Sequence, residues 1–395
     1  MAIATGIAVG ATVAGAVGLG LLGFEAKYRQ RQGNDLQFRP GSWKTIERSA
    51  DRVLLVGETE LYNATDALEI MIPEVSAELT LLGGGNLHGV ESDIRITPQH
   101  PDAPARDDGY WFAYIVKAKH STGVKISIEL TATDAAIDLE KLKTVWLRFN
   151  YMTYGPAGRI PQIGHAVIPL NYPDPAAPPN WLDRDRAEVF PVKTHLLTHL
   201  DDPVEVVKKY VLPHSKPGDI VTIGETPIAI MQQRWRYPAD VKPGWLAKRL
   251  CYFFLPTSSL ATVCGLQTLV DVSGAWRVGF AFAIGAVAKV FGRPGVFYQL
   301  AGEQARLIDD VTGTLPPYDR FIVLGPHDPQ GLVERIERET GLVAAVVDVN
   351  DLQAVKVLAA SSPKVEGVLQ AALRSNPAGN ADEQTPVVLV RPKLH

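Results

Sequence analysis

The sequence predicts an α+β protein with an N-terminal transmembrane helix, a β-sandwich-like domain and a mixed α/β domain. Three observations support this fold class. Residues 3–24 carry no charged side chain. Residues 45–180 contain several short segments rich in β-branched and aromatic residues, and residues 186–395 mix segments of helical and strand pattern. A proline-rich stretch, residues 171–185, separates the two folded regions and predicts a stiff, extended linker.

Length and charge limit the organisation of the chain and its partners. A chain of 395 residues is longer than one ordinary domain, so two domains and a terminal segment are expected. The 39 basic and 43 acidic residues give a formal net charge of −4, which provides no electrostatic reason to expect nucleic acid as a partner. The two cysteines, Cys251 and Cys264, exclude a disulfide framework and favour a reducing compartment.

The uncharged N-terminal segment is long enough to cross a bilayer as a helix. Basic residues follow it, at Lys27, Arg29 and Arg31, and none precedes it. The alternative is a cleaved signal peptide, which needs a basic region before its apolar run. The charges therefore favour an uncleaved single-pass anchor within residues 1–33, with the main domains facing the cytoplasm. Residues 3–24 make the membrane an expected partner, and the anchor also makes a membrane protein partner possible.

The segments between residues 45 and 180 predict an antiparallel sandwich, with an immunoglobulin-like arrangement as the specific expectation. Turn-forming residues separate the strands, including the glycines at 83–85 and Gly155 before Pro156. A short helical stretch is expected at residues 138–143. We expect this domain to contact a partner or to cover the second domain, rather than to carry out chemistry.

The second domain, residues 186–395, predicts helices and strands in mixed order. Helical patterns occupy residues 202–211, PGWLAKRLCYFF and DPQGLVERIERETG, and strands are expected in KPGDIVTIG, FIVLGP and LVAAVVDVND. Residues 276–291 are strongly apolar, but Arg277 and Lys289 leave only eleven uncharged residues between them. We therefore predict a buried helix at 276–291 rather than a second membrane span.

Two acidic clusters follow predicted strands in the second domain. Asp309 and Asp310 lie in LIDDVTG, and Asp348, Asn350 and Asp351 lie in VVDVNDL. Carboxylate and amide oxygens suit hard cations such as Mg²⁺ or Mn²⁺, and two clusters from different elements can clamp such an ion over a nucleotide phosphate. One strand and one helix separate the clusters, which allows the second to return beside the first. The alternative is that these residues only cap helices and form turns.

Other motifs narrow the chemistry. The chain contains no Walker A sequence, no GxGxxG after a strand and no GxSxG, so a generic phosphate loop and a serine-hydrolase elbow are unsupported. His195 and His199 have the spacing of helical zinc ligands but lack the glutamate of HExxH, so core or surface histidines are expected. Residues 376–384 gather polar side chains that suit either a ligand site or a loop of Asx turns.

Three stretches of the second domain agree in order and spacing with one family. They are KPGDIVTIGETPIAIMQQR, LAGEQARLIDDVTGTLPPYDRFIVLGPHDPQGLVERI and GLVAAVVDVND. In these stretches the chain resembles the deazaflavin-coenzyme (F420-0) gamma-glutamyl ligases, as a membrane-anchored variant with an extra N-terminal β domain. Members of that family join glutamate to a phospholactyl-deazaflavin using GTP.

The resemblance implies an amide-bond-forming ligase that works through an acyl phosphate. It implies GTP as the nucleotide, Mg²⁺ or Mn²⁺ as the metal, and a small molecule as the acceptor substrate. The implied metal ligands are Asp309, Asp310, Asp348 and Asp351. The residues implied to border the nucleotide and substrate are Gly218, Asp219, Glu225 and Gln233. Arg306 is a candidate cation for a substrate carboxylate, on the ground of its charge. Lys356 is a further candidate on the same ground.

The competing hypothesis is a non-catalytic membrane assembly or scaffold protein that keeps the ligase fold. Glu225 follows the early strand at a place where the ligase family usually has a basic residue, and no Gly-Arg stretch follows Asp351. The two hypotheses predict different structures. Convergence of the acidic clusters and the 376–385 segment on one cavity favours catalysis, whereas their separation favours a scaffold.

Overall fold

The computed structural model describes residues 18, 20–23, 25, 35–84, 87–310, 315–349, 354–379 and 383–393. The first domain consists of antiparallel strands. They are β1 (Leu36–Arg48), β2 (Arg52–Asn63), β3 (Ile70–Ile72), β4 (Val75–Gly83), β5 (Val90–Gln99), β6 (Tyr114–Val116), β7 (Ser121–Ala132), β8 (Leu142–Gly155) and β9 (Gly158–Pro169). Strand β1 begins before residue 45 because a bulge absorbs Pro40 and Gly41, which read as turn-forming residues in the sequence.

Two sheets pack face to face in this domain. Their strand orders are β1-β2-β7-β5 and β4-β8-β3-β6, with β9 paired to β8. Along β7, every second side chain from Val124 to Leu130 is fully buried, because alternate residues of a strand point to opposite faces. The helix expected at 138–143 is only a 3₁₀ turn, Leu139–Lys141, which the carboxylate of Asp138 caps.

The second domain mixes strands and helices. Its strands are β10 (Leu182–Arg184), β11 (Ala187–Val192), β12 (Ile220–Gly224), β13 (Trp235–Arg236), β14 (Asp309–Asp310), β15 (Ile322–Val323), β16 (Val343–Val349), β17 (Val355–Ala360) and β18 (Val387–Pro392). Its helices are α1 (Pro203–Tyr210), α2 (Glu225–Met231), α3 (Trp245–Leu250), α4 (Val263–Ser273), α5 (Ala275–Val290), α6 (Val296–Ala301), α7 (Gln304–Leu307), α8 (Pro329–Thr340) and α9 (Glu366–Ala372). The α+β class is confirmed.

A six-stranded sheet, in the order β10-β11-β18-β12-β16-β17, forms the centre of this domain. Helices cover both of its faces: Val207 of α1 and Ile336 of α8 pack with Val221 on one side, and Leu369 of α9 packs with Ile220 on the other. Strands β12 and β16 are parallel, whereas the other pairs in the sheet are antiparallel. The sheet begins with β10, which lies inside the stretch expected to be a linker.

Helices α3 to α7 and the small sheet β13-β15-β14 form a separate core. The helix expected at 276–291 is present as α5, but the prediction that it is buried is wrong. Within α5, all of which is described, the buried side chains are Val278 and Ala281. Trp276 and Phe280 are exposed. The apolar composition of α5 therefore does not come from burial in this core.

The predicted anchor, residues 3–24, lies almost entirely outside the described residues. In the described part of the chain, no single helix has both the length and the apolar character that a membrane crossing needs. Helices α4 and α5 taken together satisfy both criteria, but the chain bends by 114° between them.

The two domains share a buried apolar contact. Trp146 of the first domain belongs to the same cluster as Ile230, Tyr318 and Phe321 of the second. The indole N–H of Trp146 also donates to His165 Nδ1, at 3.3 Å. The first domain therefore packs against the segment that carries Tyr318 towards the cavity described next.

Candidate functional site

A cavity of about 550 Å³ opens at the carboxyl ends of β12 and β16. These strands are parallel, and Gly224 of β12 pairs with Val347 of β16. The next residues along the two strands are Glu225 and Asp348, so both carboxyl groups reach the same edge of the sheet. In sheets with parallel strands, ligands commonly bind at this edge.

Glu225, the first residue of α2, has an unusual electrostatic environment. Its Oε2 atom is buried and has no hydrogen-bond partner among the described residues. The pKa of Glu225 is raised to about 8, mainly by burial and next by the negative charge of Asp348. Lys356 opposes this increase, and Asp309 adds a smaller contribution to it. Asp348 and Asp309 are thus both close enough to repel a charge on Glu225, and such repulsion favours the binding of a cation.

The two aspartates of β14 have different neighbours, and one of them lines the cavity. Asp309 lines the cavity, and its Oδ1 accepts a hydrogen bond from Ser259 Oγ at 3.4 Å. Asp310 does not line this cavity, and its carboxylate accepts a hydrogen bond from the hydroxyl of Thr262, the N-cap of α4. Burial raises the pKa of Asp310. Asp309, and not Asp310, therefore meets Glu225 and Asp348.

The polar segment near the C-terminus closes another side of the cavity, through residues 376–379 and 384–386. Main-chain hydrogen bonds hold it there. The N–H of Gly224 donates to the carbonyl of Pro386 at 3.1 Å, and the N–H of Thr194 donates to the carbonyl of Gln384 at 3.0 Å. One member of each acidic cluster, Asp309 and Asp348, therefore converges with this segment on one cavity, which is the arrangement that the catalytic hypothesis predicts.

Several residues predicted for the site lie elsewhere. Gly218 and Asp219 precede β12 at the opposite end of the strand, where Asp219 forms an ion pair with Arg391 at 2.8 Å. Gln233 lines a second cavity of about 600 Å³, between the two domains. Arg306, at the end of α7, is exposed and lines neither cavity.

The oxygen donors of the first cavity are suited to a hard divalent cation. Glu225, Asp309 and Asp348 supply carboxylates, which Mg²⁺ and Mn²⁺ prefer, and the unpartnered Oε2 of Glu225 fits such a ligand. The described residues nevertheless include no group of three His, Cys, Asp or Glu side chains close enough to hold a metal. The predicted ligand Asp351 lies outside the described residues, as do Asn350, Asn380 and Asp382.

Sequence reasoning did not assign His195 to the cavity, although this residue lines it. Its ring nitrogens lie 2.8 Å from Tyr210 Oη and 2.9 Å from Asp201 Oδ1. His195 and His199 belong to a non-helical segment between β11 and α1, so their spacing does not reflect a zinc-binding helix. The sequence signal for His195 is weak, since it consists only of a histidine that follows the end of a strand.

Residues 37–172 match the family model described as F420-0:gamma-glutamyl ligase, N-terminal Ig-like domain. The match confirms the resemblance of this chain to that ligase family. It covers about a third of the chain, and it falls on the first domain rather than on the three stretches that suggested the family. A search of curated proteins found no match.

Solved structures were also compared with the chain. The GAE domain of yeast GGA1 is 11% identical, with 35% of this chain and 96% of that chain covered, at a TM-score of 0.19. A protein from Archaeoglobus fulgidus is 10% identical, with 35% and 98% covered, at a TM-score of 0.18. TM-scores this low support no argument about fold or function.

Proposed function

We propose that this chain, related to the F420-0:gamma-glutamyl ligases through its Ig-like first domain, transfers glutamate onto a carboxylate of a deazaflavin-type cofactor. The proposal includes GTP as the nucleotide, Mg²⁺ or Mn²⁺ as the metal, and an N-terminal anchor that leaves the main domains in the cytoplasm. One observation carries it: Glu225, Asp309 and Asp348 come from separate parts of the chain and line one cavity. A metal and nucleotide site needs such a convergence of carboxylates.

The residues of the cavity have distinct roles in the proposed reaction. Asp309 and Asp348, with Asp351, would hold the metal, which when bound would neutralise phosphate charge during phosphoryl transfer, and Glu225 would border the nucleotide. Lys356 is exposed and lies opposite Asp348 in the pairing of β16 with β17, so it is available to pair with a carboxylate of glutamate. The acceptor carboxylate would take the γ-phosphoryl group of GTP, and the amine of glutamate would then displace phosphate from the acyl phosphate.

Titration calorimetry on the full chain in detergent tests this proposal. GTP is expected to bind only when Mg²⁺ or Mn²⁺ is present, and Asp348→Asn is expected to abolish that binding. Asp310→Asn is the matched control, because Asp310 neighbours Asp309 in the sequence but does not line the cavity. This variant should bind GTP as the native chain does. No nucleotide binding by the native chain at any concentration of either metal would refute the proposal.

One observation favours a second candidate function, a non-catalytic membrane assembly or scaffold protein. Among the described residues that line the cavity there is no lysine or arginine, although such cations are common partners of phosphate groups. The scaffold hypothesis predicts a membrane complex that co-purifies with the chain and survives Asp348→Asn. Loss of the partner from a correctly folded Asp348→Asn variant would argue against a scaffold.

A further inference from the structure

Helix α5 presents an apolar face to solvent. On its inner side, Val278 and Ala281 are buried in the helical core. On its outer side, Phe280, Ile284 and Val287 are 51%, 42% and 56% exposed. Residues three and four apart lie on the same side of a helix, so these three form a continuous apolar strip. A helix that only covered a core would carry polar residues on this side.

Trp276, which lies four residues before Phe280, extends this strip. Trp276, in the first turn of α5, is 85% exposed. We call Trp276, Phe280, Ile284 and Val287 the α5 surface. Contiguous exposed apolar groups of this kind mark interaction sites.

The charges around the α5 surface indicate the kind of partner. Residues 245–300 contain five basic side chains and one acidic side chain, Asp271. Asp271 is already paired with Arg236, at 2.5 Å. The basic residues are exposed, and none pairs with an acidic residue in the described part of the chain; they are Lys248, Arg249, Arg277, Lys289 and Arg293. An apolar strip with a basic border complements a layer of anionic headgroups above acyl chains.

We propose that the α5 surface docks onto a lipid bilayer with anionic headgroups, with α5 lying in the plane of the interface. The 16 residues of α5 form a helix about 24 Å long, too short to span a hydrocarbon core of about 30 Å. Helix α4 cannot extend it, since α4 turns away by 114° and packs in the helical core. This contact is separate from residues 3–24.

The aromatic residues and the charges both fit this orientation better than self-association. Trp276 has an amphipathic ring that suits the headgroup level of a membrane. A second copy of the chain on the same surface would bring two basic borders together, which costs free energy through like-charge repulsion. A bilayer with anionic headgroups satisfies the apolar strip and the basic border together.

An environment-sensitive fluorophore on α5 tests the proposal in the full chain. The label is attached at Ile284→Cys in a background that carries Cys251→Ala and Cys264→Ala. Equimolar phosphatidylcholine and phosphatidylglycerol vesicles are expected to shift its emission to the blue and raise it several-fold. The same label at Lys125→Cys, on the outer face of the first domain, should stay unchanged. Because the readout is local to α5, binding through residues 3–24 does not produce it.

Three results would overturn the proposal. One is an unchanged emission at Ile284→Cys with anionic vesicles. Another is an equal response to pure phosphatidylcholine, which would remove the role of the basic border. The third is a blue shift without lipid that grows with protein concentration, which would identify a second copy as the occupant. If the cysteine-free background does not fold, quenching by brominated phosphatidylglycerol in the native chain and in Trp276→Phe gives the same test.

Discussion

The two ends of strand β12 hold carboxyl groups in opposite environments. At the amino end, Asp219 is buried, and it accepts hydrogen bonds from Nε and Nη2 of Arg391, at 2.9 and 2.8 Å. At the carboxyl end, Glu225 shares a cavity with Asp309 and Asp348. Its buried Oε2 has no hydrogen-bond partner among the described residues. At the amino end of β12 a carboxylate is therefore paired with a cation, whereas at the carboxyl end acidic side chains lie near one another.

This difference separates a carboxylate that supports the fold from a group that makes it less stable. A buried ion pair holds the structure as long as both partners remain. Like charges gathered in a cleft lower stability and raise a pKa, and such perturbed groups are concentrated at functional sites. In the sequence, Asp219 precedes a predicted strand and Glu225 follows it, and each lies next to a glycine. Only their partners in space distinguish their roles.

The largest expected change in stability comes from a substitution at the amino end of β12. Asp219→Ala leaves Arg391 without its carboxylate partner, so the free energy of unfolding should fall by about 3–5 kcal/mol. Urea denaturation followed by circular dichroism measures this change. GTP binding by the folded protein should be unaffected, because Asp219 lies at the opposite end of the strand from the cavity.

The matched control for Asp219 is Asp183→Ala. Asp183 forms an ion pair with Lys393 at 2.6 Å, but its side chain is 79% exposed. Water screens such a pair, so its removal should have little effect on stability. Equal destabilisation by the two variants would remove the distinction between the ends of β12. Loss of GTP binding by a folded Asp219→Ala chain would do the same.

A change in stability of similar size, at most about 5 kcal/mol, is expected at the carboxyl end of β12. The pKa of Glu225 is raised from 4.5 to about 8. Between these values the folded chain keeps a proton that the unfolded chain releases, so the free energy of unfolding falls as pH rises from about 4.5 to 8. Glu225→Gln cannot titrate, and its stability should therefore fall less over the same range in urea denaturation at a series of pH values.

Glu205→Gln is the control for this pH series. Glu205 lies on α1 with its side chain 68% exposed, so its replacement should leave the pH dependence of the native chain in place. If Glu225→Gln followed the native curve, the repulsion described for the cavity would not be present in solution.

A bound metal ion should offset the repulsion between the carboxyl groups of the cavity, and it should have no such effect at the amino end of β12. At a hundred times its dissociation constant, Mg²⁺ or Mn²⁺ should stabilise the native chain by about 2.7 kcal/mol. Asp309→Asn should lose this effect in thermal melts. Asp219→Ala and Asp310→Asn should keep it, because neither residue lines the cavity. A response that persists in Asp309→Asn, or that EDTA does not remove, would contradict a metal site at this edge.

Local patterns of the sequence predicted much of the fold. Helix α8 lies in the stretch DPQGLVERIERETG that was predicted to be helical, and Asp328 and Gly341 at the two ends of that stretch are its N-cap and C-cap. The alternation of buried residues in β7 follows directly from the sequence. The exposure of α5 could not be predicted in the same way. An apolar run has the same composition whether it meets a protein core or another apolar phase, so composition does not determine burial.

The candidate site depended on contacts that sequence periodicity does not contain. Glu225 and Asp348 meet because β12 and β16 pair in parallel, although more than a hundred residues separate them. The choice between Asp309 and Asp310 depends on how a strand of two residues pairs with β15. Clusters of acidic residues could be recognised in the sequence, but register and side-chain direction decided which members share the cavity.

The smallest expected effect comes from Lys356, the cation that opposes the raised pKa of Glu225. Lys356→Met keeps most of the aliphatic stem and removes the charge, so the pKa of Glu225 should rise and stability near pH 8 should change by less than about 1 kcal/mol. Lys364→Met, which removes another exposed lysine, should not alter the pH series. High salt should erase the difference between Lys356→Met and the native chain, because an exposed charge is screened. A difference that survives high salt would mean that Lys356 acts on the cavity through packing rather than through its charge.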